Sequence, residues 1–425
     1  MPNCHDMVGT QQTSTRPSGS HPSVAKRTPS RNDDFFQEDQ LRELREYVAP
    51  LRRNRRMLLA LTTALDLWLV FGLDIGPRID SWFTGQGWVI RLMAIALIGS
   101  VPTMLVGLPF SYWTNLLYEK RSGMSTMTVP RWIKDQFLEL LLGTVLIAGM
   151  VVPLYAAIHT FGSLWWLVGG GFIVAFLAVM AFVYPVLILP RFNKFTPLEP
   201  GPIRDRIEAL AEQQGVKIQG VYMMDASKRT TRPNAAVAGF GTTKRVLIND
   251  TIAGFPLEEL SQVIAHELGH YRRNHVVKQF PMTALQMPLA LLATELVIGN
   301  GLVLGWAGVS DLGDPASFPL FGTFFFSIAF SVFGLPGSWQ SRKYEREADL
   351  EALELIGDPT SFVAVWPRMV LTAKPDLEPT PWRKLQHTHP EIAERMQFAI
   401  DWAEMNGIPV TKPEPRSVPT EAVAG

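Results

Sequence analysis

Cysteine and charge are both scarce in this chain. It holds one cysteine, Cys4, in 425 residues. A single thiol excludes an internal disulfide framework and any zinc site built on several cysteines. Asp, Glu, Lys and Arg together make up 18%, against about a quarter in an average soluble chain. The 39 basic and 39 acidic residues cancel, so no global field points to a nucleic-acid partner. No apolar h-region follows the first residues, so no secretory signal peptide is read there.

What is abundant is apolar. Hydrophobic residues reach 47%, the mean hydropathy is +0.11, and the apolar residues are clustered. Six long segments run near residues 57–76, 88–110, 137–161, 165–190, 280–309 and 318–339. Each approaches or exceeds the ~20 residues that cross a hydrocarbon core as a helix. Pro102, Pro153 and Pro288 lie inside them, where neighbouring helices can re-satisfy the backbone. Glu295 sits in the fifth segment, and a carboxylate there needs an interior or watery partner.

The remaining organisation follows from composition. Residues 1–50, rich at first in Ser, Thr, Pro and Arg, read as a disordered tail, and so do residues 407–425. Between them we expect membrane helices one to four over 51–190 and an α+β block over 191–279. Helices five and six follow over 280–339, then a helical block over 340–406. Basic residues gather before the first segment (Arg52, Arg53, Arg55, Arg56), between the second and third, between the fourth and fifth, and after the sixth. That alternation gives six crossings, both termini and the catalytic blocks on the cytoplasmic side, in the plasma membrane if the source is bacterial. The competing reading makes one or two segments buried core helices or re-entrant, the fifth above all. Inside the α+β block, Ile203 to Gln214 has helical periodicity. Val221 to Met224, Ala235 to Phe240 and Arg245 to Ile248 read as strands.

The chemistry starts at His266-Glu267-Leu268-Gly269-His270. Histidines at i and i+4 lie one turn apart on one helix face, so two imidazoles can reach one ion. Glu267 is turned about 100° from His266, a placement for activating water rather than for binding the metal. A third ligand is needed. Val276 stands where a third histidine would follow in one zinc-protease pattern, and His275 is one position off, so His275 reads as a supporting residue. A glutamate from a second helix remains. In Ser341-Arg342-Lys343-Tyr344-Glu345-Arg346-Glu347-Ala348-Asp349, Glu345 and Asp349 share a face. Glu345 can bind zinc while Asp349 accepts the outer N–H of a ligand histidine. The competing reading is a solvated charged face of Glu345, Arg346, Glu347 and Glu351.

With these residues in place, the chain from Tyr118 to Met396 resembles the membrane zinc metallopeptidases of the type I CAAX prenyl protease and HtpX-like family. The resemblance rests on HELGH and SRKYEREAD together with LPRFNKFTPLEPG (Leu189 to Gly201), SKRTTRPNAAVAGFGTTKRVLINDT (Ser227 to Thr251) and THPEIAERM (Thr388 to Met396). The first two apolar segments and EKRSGM (Glu119 to Met124) look more like the CAAX branch. The resemblance implies a polytopic α-helical membrane protein, about six helices with a gluzincin-like α+β domain. It implies one zinc per chain on His266, His270 and Glu345, and a catalytic Glu267. It also implies an edge strand at Asn234, Ala235, Ala236 and Val237 that binds an extended peptide. The side chain of Asn234 can equally be a turn residue after Pro233. His389 and Arg395 fall where the family keeps a His and an Arg, for stabilising an oxyanion or orienting ligands. For His389 the other reading is a helix-start residue before Pro390. Two departures bear on substrate: a polar tail stands where the CAAX branch has another crossing, and aromatics are missing after Asn234.

The expected activity is a zinc metalloendopeptidase in the lipid bilayer, acting on peptide or protein substrates, lipidated or membrane-bound. Within that class, prenyl-peptide cleavage competes with quality-control proteolysis of membrane proteins. Outside it stand a transporter with a structural zinc and an inactive scaffold. The first calls for a closed four-ligand site, where three good ligands are found. The second needs no Glu267.

Overall fold

The computed structural model describes residues 30–412 other than 240 and 242. The outer parts of both expected tails, 1–29 and 413–425, lie outside the described residues. The inner part of the first does not behave as a tail. A single helix runs Glu38–Phe71, and it opens with the Gln37 N–H donating to Gln40 Oε1 at 3.0 Å. Phe35, Phe36, Leu41 and Leu44 are buried against Ala399, Ile400 and Trp402 of the C-terminal helix. Composition misses this because the stretch is polar on average. Its few apolar residues nevertheless share one face, and each contributes about 1.5–3 kcal/mol when fully buried. At the other end, Ile408 and Val410 pack on the same cluster, so the described start of the second tail is docked too.

Among the described residues, three helical stretches are long and apolar enough to cross a membrane: Trp88–Arg121, Val129–Phe192 and His275–Ile298. A fourth arises if Glu38–Phe71 and Ile75–Ser81, bent by 57°, form one span. The Val129–Phe192 stretch holds two of the expected segments. Its helices Val129–Phe161 and Trp165–Val183 meet at Gly162, whose φ of 50° is the left-handed backbone a turn needs. Gly169 faces Leu154 and Gly149 faces Phe176, which fixes the pair as an antiparallel hairpin.

The last two expected segments are broken. The fifth is helical over His275–Ile298, across the expected boundary at 279/280, and stops before Gly299. Gly299 is tight because an added Cβ would stand 2.5 Å from the Glu295 carbonyl oxygen. Glu295 itself accepts a hydrogen bond from Trp165 Nε1 at 2.8 Å, the partner a carboxylate at that depth requires. The sixth comprises Phe318–Phe324, a π turn over Phe325–Ala329, and Phe330–Phe333. A 22-residue helix then starts at Leu335 and ends at Ile356.

Between the hairpin and residue 275 lies a four-stranded sheet in the order β1-β2-β4-β3. Its strands are β1 Phe195–Pro197, β2 Gly220–Met224, β3 Ala235–Ala238 and β4 Arg245–Asn249. β2 and β4 are parallel, while β1 and β3 add antiparallel at the two edges. The three expected strands are present to within two residues of their bounds; β1, three residues long and containing Pro197, was not anticipated. Helices Pro202–Gln213 and Leu257–Arg272 cover the sheet through Ile207, Leu210, Val246, Ile248, Ile264 and Leu268.

Candidate metal centre

The helix Leu257–Arg272 starts after Pro256 with Glu258 and Glu259 in its first turn, acids where the helix dipole favours them. Its apolar stripe (Leu260, Ile264, Leu268) faces the sheet. That fixes His266 and His270 toward the opposite neighbour, the helix Leu335–Ile356. Gly269 lets the two helices meet closely: a Cβ there would stand 3.1 Å from Glu351 Cβ and 3.4 Å from Ala348 Cα. The close approach carries Glu345, one turn before Ala348, to the two histidines.

The three expected ligands therefore converge. His266 Nε2 and His270 Nε2 are 3.2 Å apart, and Glu345 lies 3.3 Å from the first and 3.4 Å from the second. Tetrahedral zinc with bonds of about 2.0–2.1 Å sets neighbouring ligand atoms roughly 3.3 Å apart. Glu345 is 4% exposed, and its Oε2 is buried without a hydrogen bond of good geometry among the described residues. Two imidazole nitrogens in contact beside an unsatisfied buried carboxylate oxygen suit a shared divalent cation.

The surroundings set each ligand's protonation. Asp349, fully buried, stands 2.8 Å from His266 Nδ1. Asp349 in turn receives Arg395 through Nε at 2.9 Å and through Nη2. The Arg395 guanidinium stacks 4.1 Å from the Trp366 ring centroid. His275 Nδ1 lies 3.0 Å from His270 Nδ1, and His275 Nε2 lies 3.1 Å from Glu347 Oε2. The His275 ring stacks on Tyr344 at 4.4 Å. His389 Nδ1 approaches Glu345 Oε2 to 2.8 Å with its side chain 64% exposed.

Burial and the Arg395 charge push the His266 imidazole down, but hydrogen bonds to Asp349 and Glu345 outweigh them and raise it to about 9. Burial alone would raise Glu345, yet the close imidazoles of His266, His270 and His389 hold it well below the usual carboxylate range. Asp349 is likewise lowered: burial opposes this, and the charge of Arg395 and the hydrogen bond with His266 prevail. Both carboxylates are thus charged at neutral pH, as a cation site needs.

Glu267 is half-buried on the same helix. β3 is the outer strand beside it. The Asn234 carbonyl accepts from the Asn249 N–H at 3.0 Å, so Asn234 and Ala236 turn their backbone groups to β4. Ala235 and Val237 turn theirs to the open edge. The Val237 carbonyl is already taken by the Tyr271 hydroxyl at 2.9 Å. Burial, helped by the Glu267 charge, pushes the Tyr271 phenol up to about 12, which keeps it a donor.

The sequence had not singled out Tyr271, Glu347 or Trp366. Tyr271 was the most accessible of these, since it directly follows His270. Trp366 lies on another helix, and no spacing connects it to Arg395.

Comparison with known proteins agrees with this architecture. Residues 23–194 match the family model described as CAAX prenyl protease N-terminal, five membrane helices, and residues 197–403 match peptidase family M48. CAAX prenyl protease 1 of Saccharomyces cerevisiae is 36% identical over 44% of this chain and 41% of its own. A CAAX prenyl protease 1 homolog of Oryza sativa is 29% identical over 70% and 71%. An uncharacterized metalloprotease of Bacillus subtilis, YhfN, is 26% identical over 89% of both. The chain thus spans less than half the length of the yeast relative. The crystal structure of Ste24p from S. mikatae shares the fold with a TM-score of 0.75 at 23% identity, covering 88% of this chain and 92% of that one.

Proposed function

Because the chain belongs to peptidase family M48, with the N-terminal membrane helices of the CAAX prenyl protease type, we propose that it is an integral membrane zinc metalloendopeptidase. His266, His270 and Glu345 hold the metal, Glu267 is the catalytic base, and lipidated peptides are the substrate class. The observation that carries the reading is the triangle of ligand atoms at 3.2–3.4 Å with Glu267 one residue from the first of them.

Zinc held there supplies Lewis-acid polarisation and makes water a nucleophile near neutral pH. The protein's part is positional and protonic. Glu267 takes a proton on its carboxylate and returns it to the departing amine. Asp349 keeps the His266 proton on Nδ1, so that Nε2 offers its lone pair. Arg395, occupied on Asp349 and 7% exposed, acts as a positioning residue rather than an oxyanion donor. His389, open to the cleft, is the group that meets the substrate carbonyl. A peptide aligns on the open edge of β3, using the Ala235 N–H and C=O and the Val237 N–H. All six apolar segments are taken as membrane passages, with the catalytic blocks on the cytoplasmic face.

Wild type and Glu267→Gln, purified in detergent, test this. Expected is about one zinc per chain in both, with peptide cleavage in wild type alone and its loss to chelator. Zinc in both with no cleavage of farnesylated or plain peptides by wild type overturns the activity. Equal rates on the two peptides overturn the lipidated substrate class.

A further inference from the structure

The hairpin of Val129–Phe161 and Trp165–Val183 carries its register to its open end. Gly169 against Leu154 and Gly149 against Phe176 set Arg131 and Lys134 level with the stretch Leu189 to Lys194. Exposed apolar side chains continue past Phe137 to Ile133 and Val129 at one end of the hairpin, and to Val186 and Leu187, just beyond the second helix, at the other. Arg131 and Lys134 thus sit among the last exposed apolar residues at one end of the hairpin, and Arg191 and Lys194 follow those at the other, which is where basic side chains meet lipid headgroups.

These four do not spread outward. With Lys228 and Arg229 of the catalytic block they line one cavity of about 330 Å³. Asp135 is the sole acid in its wall, and both its oxygens are engaged by Arg229, at 2.7 and 2.9 Å. Lys228 is held by Asp225 at 2.7 Å. Arg131 donates to the Lys228 carbonyl at 2.7 Å. Lys134, Arg191 and Lys194 have no ion-pair partner among the described residues. Three uncompensated cations around a concavity, one with the planar fork that matches phosphate, form an anion site that the peptidase chemistry does not use.

We propose that this cavity binds the phosphate of an anionic phospholipid headgroup and so fastens the catalytic block to the membrane hairpin. The wall joins the two parts: Arg131, Lys134 and Arg191 belong to the stretch Val129–Phe192, Lys194 leads into β1, and Arg229 sits six residues before β3. A headgroup there screens cations that otherwise repel across the junction. Its acyl chains run along the exposed apolar surface of the same helices. Topology signals alone call for basic residues on this side, but not for their convergence on one hollow shared with the soluble block.

The test uses the full chain in detergent, titrated with phosphatidylglycerol or phosphatidylcholine and followed by native mass spectrometry. Expected is one tightly retained phosphatidylglycerol per chain. Retention should weaken roughly 100-fold in Lys134→Gln/Arg191→Gln/Lys194→Gln, at about fivefold for each charge near a membrane surface. It should be unchanged in Arg55→Gln/Arg383→Gln, which lie at another cavity. The charge-conserving Lys134→Arg/Arg191→Lys/Lys194→Arg variant should bind like wild type. Equal retention by wild type and the triple Gln variant overturns the site. Loss in the charge-conserving variant also overturns it, by making the effect one of packing. Displacement of the lipid by glycerol phosphate at comparable concentration assigns the cavity to free phosphate and overturns the lipid assignment.

Discussion

His275 accepts the Nδ1 proton of His270 across 3.0 Å. The direction follows from Glu347, whose carboxylate can only accept and stands 3.1 Å from His275 Nε2. That holds the His275 proton on Nε2 and leaves Nδ1 as an acceptor. His270 must then carry its own proton on Nδ1, which frees its Nε2 for the metal. Removing His275 should therefore cost zinc affinity without touching a ligand. We expect His275→Ala to weaken zinc roughly 10–100-fold in a chelator competition, with Glu347→Ala closer to the lower figure. Unchanged affinity in both variants would sink the relay.

Asp349 and Arg395 form a buried pair beside His266. Deleting one partner strands the other's charge, so Asp349→Ala should destabilise the protein by about 3–5 kcal/mol and lower zinc occupancy as well. Denaturant melts with and without zinc separate the two losses. A change under 1 kcal/mol, set against that estimate, would show the pair to be solvated in practice.

Gly269→Ala tests how closely the ligand helices must approach. The added methyl meets Glu351 Cβ at 3.1 Å, so the helices have to part by a few tenths of an ångström. Overpacking of this kind costs about 1–3 kcal/mol. Because Glu345 moves with its helix, kcat should fall more than thermal stability would suggest. Wild-type kcat in the variant argues that the Glu345 side chain absorbs the shift.

The His266 proton couples metal binding to pH. With its pKa raised from 6.5 to about 9 in the metal-free site, the imidazole is protonated at pH 7, and zinc must displace that proton. Apparent zinc affinity should thus climb with pH up to about 9 and level off above it. Calorimetry in buffers of different ionisation enthalpy should record about one proton released per zinc at pH 7. No proton release there means His266 is already neutral.

Substrate alignment on β3 can be probed from the substrate side. Methylating the single peptide amide that donates to the Ala235 carbonyl removes one hydrogen bond, worth about 0.5–1.5 kcal/mol. A scan of N-methylated peptides should show one flanking position where kcat/KM drops roughly 2–10-fold through KM. A flat scan argues against strand addition. Tyr271→Phe should add a second sensitive position by freeing the Val237 carbonyl.

Local spacing determined a good deal of this protein. The i, i+4 histidines put two nitrogens on one helix face, and Glu345 and Asp349 share another for the same reason. Long apolar runs marked the membrane stretches, and alternation located three of the four strands. Spacing was silent where partners are far apart in sequence. Nothing in the sequence says that Arg395 will close on Asp349 from 46 positions away, or that Trp165 will satisfy Glu295 from 130 away. It also missed the folded stretch before residue 50, because one buried face on a polar helix vanishes in an average over composition. Those outcomes depend on how closely Gly269 lets two helices pack and on where the hairpin at Gly162 turns. The sequence by itself supplied the candidate ligands and the apolar helices, since helical and strand periodicity are properties of the local chain. Which carboxylate faces which imidazole, and which lysines share one hollow, was decided only by tertiary packing, because distances between segments are set by the whole folded chain.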